Sequence, residues 1–299
     1  LQVVSEVTRT YADLRAAQAR SALLKDEFTT RQQLSSLASQ RWNAGETSRS
    51  EAAIAEQRAA SAHAAVPEAE AAVQGAIYRL GLLTGRPPEA LISELSASKA
   101  IPTTPAIVAG GVRSEMLQRR PDVRAAEAEL AAYTADIGVQ KAEMYPRFSL
   151  TSSLGQQAKS VGDLADSTST RFSLGTVFSW PIFSFGRLRA QVRAADARAQ
   201  AALARYERAV LGALTDSETA ANRYQASLEM LESRAAALAE ATRAEDLAGR
   251  RFRLGEDDRV QFLESQSARL AAETQVVEAK RDAAASFIAF SKSLGGGVA

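Results

Sequence analysis

Between Gly186 and Gly255 the sequence has no proline, and its only glycines are Gly212 and Gly249. Proline and glycine are the residues that most often stop a helix. The stretch is otherwise rich in Ala, Arg, Leu and Glu, so it predicts a single unbroken helix. Its 69 steps, at about 1.5 Å each, make a rod of roughly 100 Å. A rod that long cannot be the core helix of a compact domain and has to be lined up against other rods.

The apolar stripe on this rod shows how it is lined up. It first reads Leu188, Val192, Ala195, Ala199, Leu203, Tyr206, Val210, Leu214. The series Leu188-Ala199-Val210 and Val192-Leu203-Leu214 have an 11-residue spacing, which predicts a nearly straight bundle. Farther on it reads Ala221, Tyr224, Leu228, Leu231, Ala235, Leu238, alternating steps of three and four. That is a heptad seam, which winds left-handed. An ordinary coiled coil drifting in register gives a similar pattern.

Composition narrows the function classes. Of 299 residues 46% are hydrophobic and only 6% aromatic, so the helices pack through alanine and build no thick core. The net charge of +1 argues against a nucleic-acid surface. With no cysteine there is no disulfide, thiolate nucleophile or Cys-ligated metal. The one histidine, His63, has no second His at ligand spacing. No phosphate-cradling glycine loop and no Ser-His pair is present, so neither an enzyme nor a cofactor is expected. No run reaches 18 apolar residues, so no transmembrane helix is expected. The sequence opens at Leu1 inside a helical pattern without Met. We read it as a piece of a longer chain, whose preceding part would hold any signal sequence or lipid-anchoring Cys.

In chain order, residues 1–43 read as helix with Val4, Val7, Tyr11, Leu14, Ala17 and Leu24 on one face. The helix ends at Gly45, resumes, and ends again at Gly85, with a kink expected at Pro67. Residues 86–112 contain Pro102, Pro105, Gly110 and Gly111 and read as a linker. A further helix starts at Arg120-Pro121-Asp122, where Pro suits the first helical position and Asp the positive end of the dipole. It stops before Pro146.

Two strand candidates follow, 148–154 and 172–182. On the second, Phe172, Leu174, Phe178, Trp180 and Ile182 share a face with Thr176, and Ser173, Gly175 and Ser179 share the other. Their lengths suit membrane-crossing strands, and aromatics flank them. A half-buried soluble hairpin would carry the same alternation.

The sequence also repeats itself at an offset of 210: Arg41-Trp42-x-x-Gly45-Glu46-x-x-Arg49 matches Arg251-Phe252-x-x-Gly255-Glu256-x-x-Arg259. Forty residues after each tip glycine another glycine ends the helix, at Gly85 and Gly295. Matched glycines without a gap indicate duplication. The arm from Gly45 to Gly85 and the helix of residues 113–144 would together span about 100 Å, the length of the long rod. The tips would then lie at one end and the strands at the other. Two strands cannot close a barrel. A preceding strand pair would make four per chain, and three chains twelve.

Several stretches resemble the TolC-like outer-membrane efflux channels, in particular the NodT-type lipoprotein branch. The most specific is Leu117-Gln118-Arg119-Arg120-Pro121-Asp122-Val123-Arg124-Ala125-Ala126-Glu127, followed by Tyr145-Pro146-Arg147-Phe148 and Trp180-Pro181-Ile182-Phe183 with Gly186-Arg187-Leu188. Leu82-Leu83-Thr84-Gly85-Arg86-Pro87-Pro88 and Leu294-Gly295-Gly296-Gly297 extend the likeness over nearly the whole chain. The resemblance implies a mainly α fold with a membrane β-hairpin. Long antiparallel helical hairpins would form an α-helical barrel, and the strands would join a trimeric transmembrane β-barrel. Residues 1–85 would be the first periplasmic hairpin, 86–112 an equatorial linker, 113–145 a helix of the second repeat, 146–185 the outer-membrane β-hairpin and 186–299 the second periplasmic hairpin.

The implied function is the exit duct of a tripartite efflux pump in a Gram-negative outer membrane: a homotrimer working with a periplasmic adaptor protein and an inner-membrane, proton-driven transporter. Gln261 and Glu264 fall at the positions of a pore-constriction ring, where the family's pattern has two acids, so Gln261 is a departure. Glu51 falls at a gating link. The tip residues Gly45, Glu46, Arg49, Gly255, Glu256, Asp257, Asp258 and Arg259 would close the entrance or meet the adaptor. Phe148, Leu150, Leu154, Phe172, Leu174, Phe178, Trp180 and Ile182 would face lipid. The competing readings are solvated carboxylates at Glu51 and Glu264, plain solvent exposure at the tip turns, and, for the whole chain, a pore-less coiled-coil adaptor of the cell envelope.

Overall fold

A computed structural model describes residues 1–105, 117–160 and 170–296. The fold is mainly helical with one antiparallel hairpin. Helices α1 (Gln2–Asn43) and α2 (Arg49–Thr84) come first. A 3-10 turn (Pro88–Leu91) leads into the one-turn α3 (Ile92–Leu95). Then come α4 (Pro121–Ala142), strands β1 (Arg147–Gln156) and β2 (Thr170–Ser179), the 68-residue α5 (Arg187–Leu254) and α6 (Arg259–Ser293). The chain divides into two compact units: residues 1–120 with 213–299, and residues 121–212.

In the first unit the N-terminal half of α1 is well enclosed. Thr10, Ala12, Leu14, Arg15, Ala16 and Gln18 are all buried, because α1 packs against both α2 and α6. Leu14 forms a cluster with Ile77 and Leu80 of α2 and with Leu91 of the 3-10 turn. The stretch expected to be a linker is therefore packed over its first ten residues, where Leu91 supplies an apolar anchor. Its end, residues 106–112, lies outside the described residues. Helix α2 runs unbroken through Pro67.

A second anchor is polar. Arg15, 1% exposed, stacks on the Tyr11 ring at 4.7 Å. It donates to the carbonyl of Ala97 at 2.7 Å and to the Gln18 side chain at 2.8 Å. Gln18 in turn donates to the carbonyl of Leu95 at 2.7 Å. The buried guanidinium thus meets the carbonyl end of α3, where the helix dipole is negative.

All four helix ends at the matched glycines close the same way. Gly45, Gly255, Gly85 and Gly295 take φ of 75°, 76°, 69° and 86°. At the tips the amide of Glu46 donates to the carbonyl of Arg41 at 2.8 Å, and that of Glu256 to the carbonyl of Arg251 at 3.0 Å. This is the Schellman closure, which satisfies carbonyls left over at a helix end and needs a residue tolerant of positive φ. The next helices start on caps that also match at the offset: Ser48 accepts from the Glu51 amide and Asp258 from the Gln261 amide. The duplication read in the sequence is thus a duplication of hydrogen bonds.

The Arg-Arg-Pro-Asp stretch has a structural reason. Arg120, nearly buried, donates to the carbonyls of Ser293 at 3.2 Å and Ala213 at 3.4 Å, and to Asp216 Oδ2 at 3.2 Å. One side chain ties the end of α6 to the middle of α5. Pro121 then opens α4, where a missing amide proton costs nothing.

The second unit holds α4, the hairpin and the start of α5. Here the buried face of α5 carries Leu188, Ala195, Ala199 and Ala202, while Leu203 is 44% exposed. The expected spacing of eleven holds between Leu188 and Ala199, and the departure is at Leu203, whose neighbour Ala202 is buried in its place. Strand β2 ends at Ser179, short of the expected Ile182, since Pro181 has no amide to donate to a ladder.

Replacing Arg120 with Ala leaves three acceptors without their donor. We expect a loss of about 2 kcal/mol, read as a lower thermal midpoint by circular dichroism of the detergent-solubilised protein.

Candidate functional site

The two tips lie in the first unit, and the groove between them gathers the residues singled out above. It is a cleft of about 330 Å³ lined by α1, α2 and α6, including Arg31, Arg41, Glu51, Arg58 and Glu264 over a floor of Leu34, Ala38 and Ile54. Glu51 and Glu264 come from different repeats and share this cleft. Glu264, with its side chain 44% exposed, is held from two sides: Oε2 lies 3.4 Å from Arg31 and Oε1 3.8 Å from Arg58. Glu51 lines the same cleft and makes no ion pair among the described residues. Three guanidinium groups thus face two carboxylates. Gln261 is exposed on the first turn of α6.

The remaining tip charges are largely engaged within the chain. Arg41 pairs with Asp258 at 3.2 Å and with Glu46 at 3.7 Å, joining one tip to the other. Arg251, its repeat mate, pairs with Asp257 at 3.0 Å and Glu256 at 3.7 Å. Arg49 lies over the Trp42 ring at 4.7 Å and pairs with Glu56. Arg259 donates to Gln33. Phe252, the counterpart of Trp42, instead stacks on Phe262 at 6.0 Å. Gly249 makes that stack possible, since a Cβ there would come within 3.2 Å of the Phe262 ring.

A larger cleft of about 490 Å³ lies farther along α1, between α2 and α6, lined by Arg9, Asp13, Arg20, Glu68, Glu278, Arg281 and several alanines. Burial pushes the Asp13 carboxyl above its ordinary pKa of 3.8, outweighing the opposing pull of Arg9 and Arg281.

In the second unit the hairpin register pairs Phe148 with Phe178, Leu150 with Thr176, Ser152 with Leu174 and Leu154 with Phe172. Neighbouring side chains alternate faces. One face therefore carries Phe148, Leu150, Leu154, Phe172, Leu174 and Phe178, all exposed, with the Phe148 and Phe178 rings 5.0 Å apart. The other carries Arg147, Ser149, Thr151, Ser153, Arg171, Ser173 and Ser179 with Val177. On it the Ser153 and Ser173 hydroxyls bond at 2.7 Å. Trp180 and Ile182 lie beyond the strand and are exposed, and the Trp180 indole donates to the carbonyl of Met144 at 3.2 Å. Among the described residues no helix is long and apolar enough to cross a membrane.

Residues 112–296 match the family described as outer membrane efflux protein. The chain belongs to that family.

The pyoverdine export outer membrane protein OpmQ of Pseudomonas aeruginosa is 30% identical over 299 residues, which is 99% of this chain and 62% of OpmQ. Outer membrane protein OprJ of the same organism is 30% identical over 311 residues, again 99% of this chain and 62% of OprJ. Nodulation protein T of Rhizobium leguminosarum bv. trifolii is 28% identical over 74% of this chain. The chain spans 62% of the length of OpmQ and of OprJ and 47% of that of nodulation protein T. Among solved structures, the outer-membrane channel OprN superposes with a TM-score of 0.85 at 34% identity, covering 99% of this chain and 66% of OprN. VceC of Vibrio cholerae shares the fold, with a TM-score of 0.78 at 24% identity. OpmQ, OprJ, OprN and VceC are each described as outer-membrane proteins or channels, and family membership places this chain in the outer membrane.

Of the cleft's arginines, Arg41 belongs to the repeat motif, while Arg31 and Arg58 are the residues that motif reading missed. A signal was available for these two: they stand nearly the same distance either side of Gly45, so an antiparallel hairpin brings them together.

Asp13 makes the stability of this chain depend on pH. A carboxyl whose folded pKa is raised binds its proton more tightly in the folded state. The penalty is absent below the unfolded value of 3.8, grows as pH rises from there to the folded value, and is constant above it. Asp13→Asn is therefore expected to raise the thermal midpoint at pH 7, with the gain vanishing as pH falls below the ordinary carboxylate range.

Proposed function

We propose that the chain is part of the outer-membrane exit duct of a tripartite efflux pump, a passive gated channel. The observation that carries this reading is the β-hairpin: two strands of ten residues each, with an exposed apolar row on one face and a hydroxyl and guanidinium row on the other. Ten residues is the length of a tilted membrane strand, and that division suits lipid outside and water within. A homotrimer would complete the barrel. Its partners would be a periplasmic adaptor and an inner-membrane, proton-driven transporter. The solutes would be drugs, metal ions or other small molecules, chosen mainly by the transporter, because a wide aqueous duct discriminates little. OpmQ, named for pyoverdine export, supports an export role.

In this reading the tip cleft is the gate. Glu264 and Gln261 belong to the constriction, and Glu51 to the link that holds the tips. The charged turns around Gly45 and Gly255 close the entrance or receive the adaptor. What supports it is that Glu51 and Glu264, one from each repeat, share one cleft with Arg31 and Arg58. Opening would separate groups that here neutralise one another.

The test is single-channel recording in planar bilayers on the full-length product of the gene. Stable trimeric pores are expected. Glu264→Gln should shift their selectivity toward anions, because it leaves Arg31 and Arg58 unopposed. Pores indifferent to the substitution would remove Glu264 from the constriction and leave the duct standing. A soluble monomer or dimer without pores would overturn the duct in favour of a coiled-coil adaptor.

A further inference from the structure

We infer that the duct prefers anionic solutes, those carrying carboxylate, phosphate or sulfonate groups, over cations of similar size. This rests on the exit-duct reading above, with the polar face of the hairpin turned to water. The charge on that face is one-sided. Strands β1 and β2 contain two charged residues, Arg147 and Arg171, and no carboxylate. Both arginines lie on the polar face, at its two ends: Arg147 stands opposite Ser179, and Arg171 opposite Gly155. At about 3.4 Å per residue the two positions are roughly 27 Å apart along the strands, close to the height of a membrane barrel's apolar band.

Between them the face offers neutral dipoles. Ser153 and Ser173 bond to each other, and the Thr151 hydroxyl donates to the carbonyl of Gly175 at 3.2 Å. Hydroxyls turn to suit either sign of ion, so they leave the bias to the guanidinium groups. Arg147 is partly offset by its ion pair with Glu143. Arg171 makes no ion pair among the described residues and is exposed. In a closed trimer it would become three fixed positive charges on a low-dielectric wall, the arrangement that concentrates counter-ions in a channel.

An independent observation in the other unit points the same way. The tip cleft is lined by three guanidinium groups, Arg31, Arg41 and Arg58, against two carboxylates, Glu51 and Glu264, and Glu264 is matched by Arg31 and Arg58.

Because the duct is wide, the preference is a bias and not a filter. It must grow as salt falls, since fixed charges reach only about 10 Å at 0.1 M and about 30 Å at 0.01 M.

The experiment is the reversal potential across a potassium chloride gradient, in planar bilayers of electrically neutral lipid, with the full-length product of the gene. The expected sign is that of chloride, stronger at low salt. Arg171→Ser should reduce it, Arg147→Ser with Arg171→Ser should abolish it, and Arg171→Lys should keep it. A potassium-favouring or null potential in the unmodified pore overturns the inference while leaving the duct intact. So does a chloride preference that the double variant leaves unchanged. Absence of pores in the unmodified protein overturns the duct itself, and this preference with it. The salt dependence of the unmodified pore needs no variant, so a failure of a variant to insert does not shield the inference.

Discussion

A helix can reverse direction only where its last carbonyls find donors without the helix continuing. Everything in the first unit depends on that condition being met at Gly45 and Gly255. Each glycine takes a positive φ, each following amide reaches back to the carbonyl of an arginine, and each turn hands over to a capped new helix. Once the reversals are fixed, the antiparallel neighbours are fixed too. Arg31 must face Arg58 across one hairpin, and Phe252 must face Phe262 across the other. The tip cleft is a consequence of two turns before it is a gate.

The helix ends at Gly45, Gly85, Gly255 and Gly295 were legible from their glycines, although Pro67 lies inside α2 without ending it. The strands were legible because apolar and polar residues largely alternate from Phe148 and again from Phe172, with Ser152, Thr176 and Val177 as the exceptions. Two readings were less good, for definite reasons. Leu203 looked buried because hydrophobicity was counted, but its neighbour Ala202 is buried in its place. Residues 86 to 95 looked like a linker because Pro87 and Pro88 break the helical pattern, which hides the fact that Leu91 fills a place against Leu14 and Ile77. At the tips, the carboxylates Glu51 and Glu264 could be named in advance only through the resemblance to the efflux-channel family. Their arginine partners could not be named by any motif, since Arg31 and Arg58 meet only through the geometry of the hairpin.

The hairpin and the tips follow different physical logics. On β1 and β2 the decision is between solvents: each side chain is sorted to one face or the other by a period of two. At the tips the decision is between partners, since nearly every charge there is engaged by another from the same chain. The first arrangement tolerates exchange of one apolar residue for another. In the second, loss of one charge changes the local balance, because most of these ions stand opposite a particular neighbour.

Arg15 has a consequence of another kind. Among the described residues it is a cation without a counter-ion, balanced by the carbonyl of Ala97, the Gln18 amide oxygen and the face of Tyr11. A salt bridge stretched by an ångström still attracts. Carbonyl dipoles lose their hold far more steeply with distance, and the buried guanidinium would be left naked. The segment after α3 is thus fastened to α1 by a latch with two settings, seated or released, and not by an elastic tether. Any motion that reaches this region has to carry segment and helix together as one piece, or detach them in a single step.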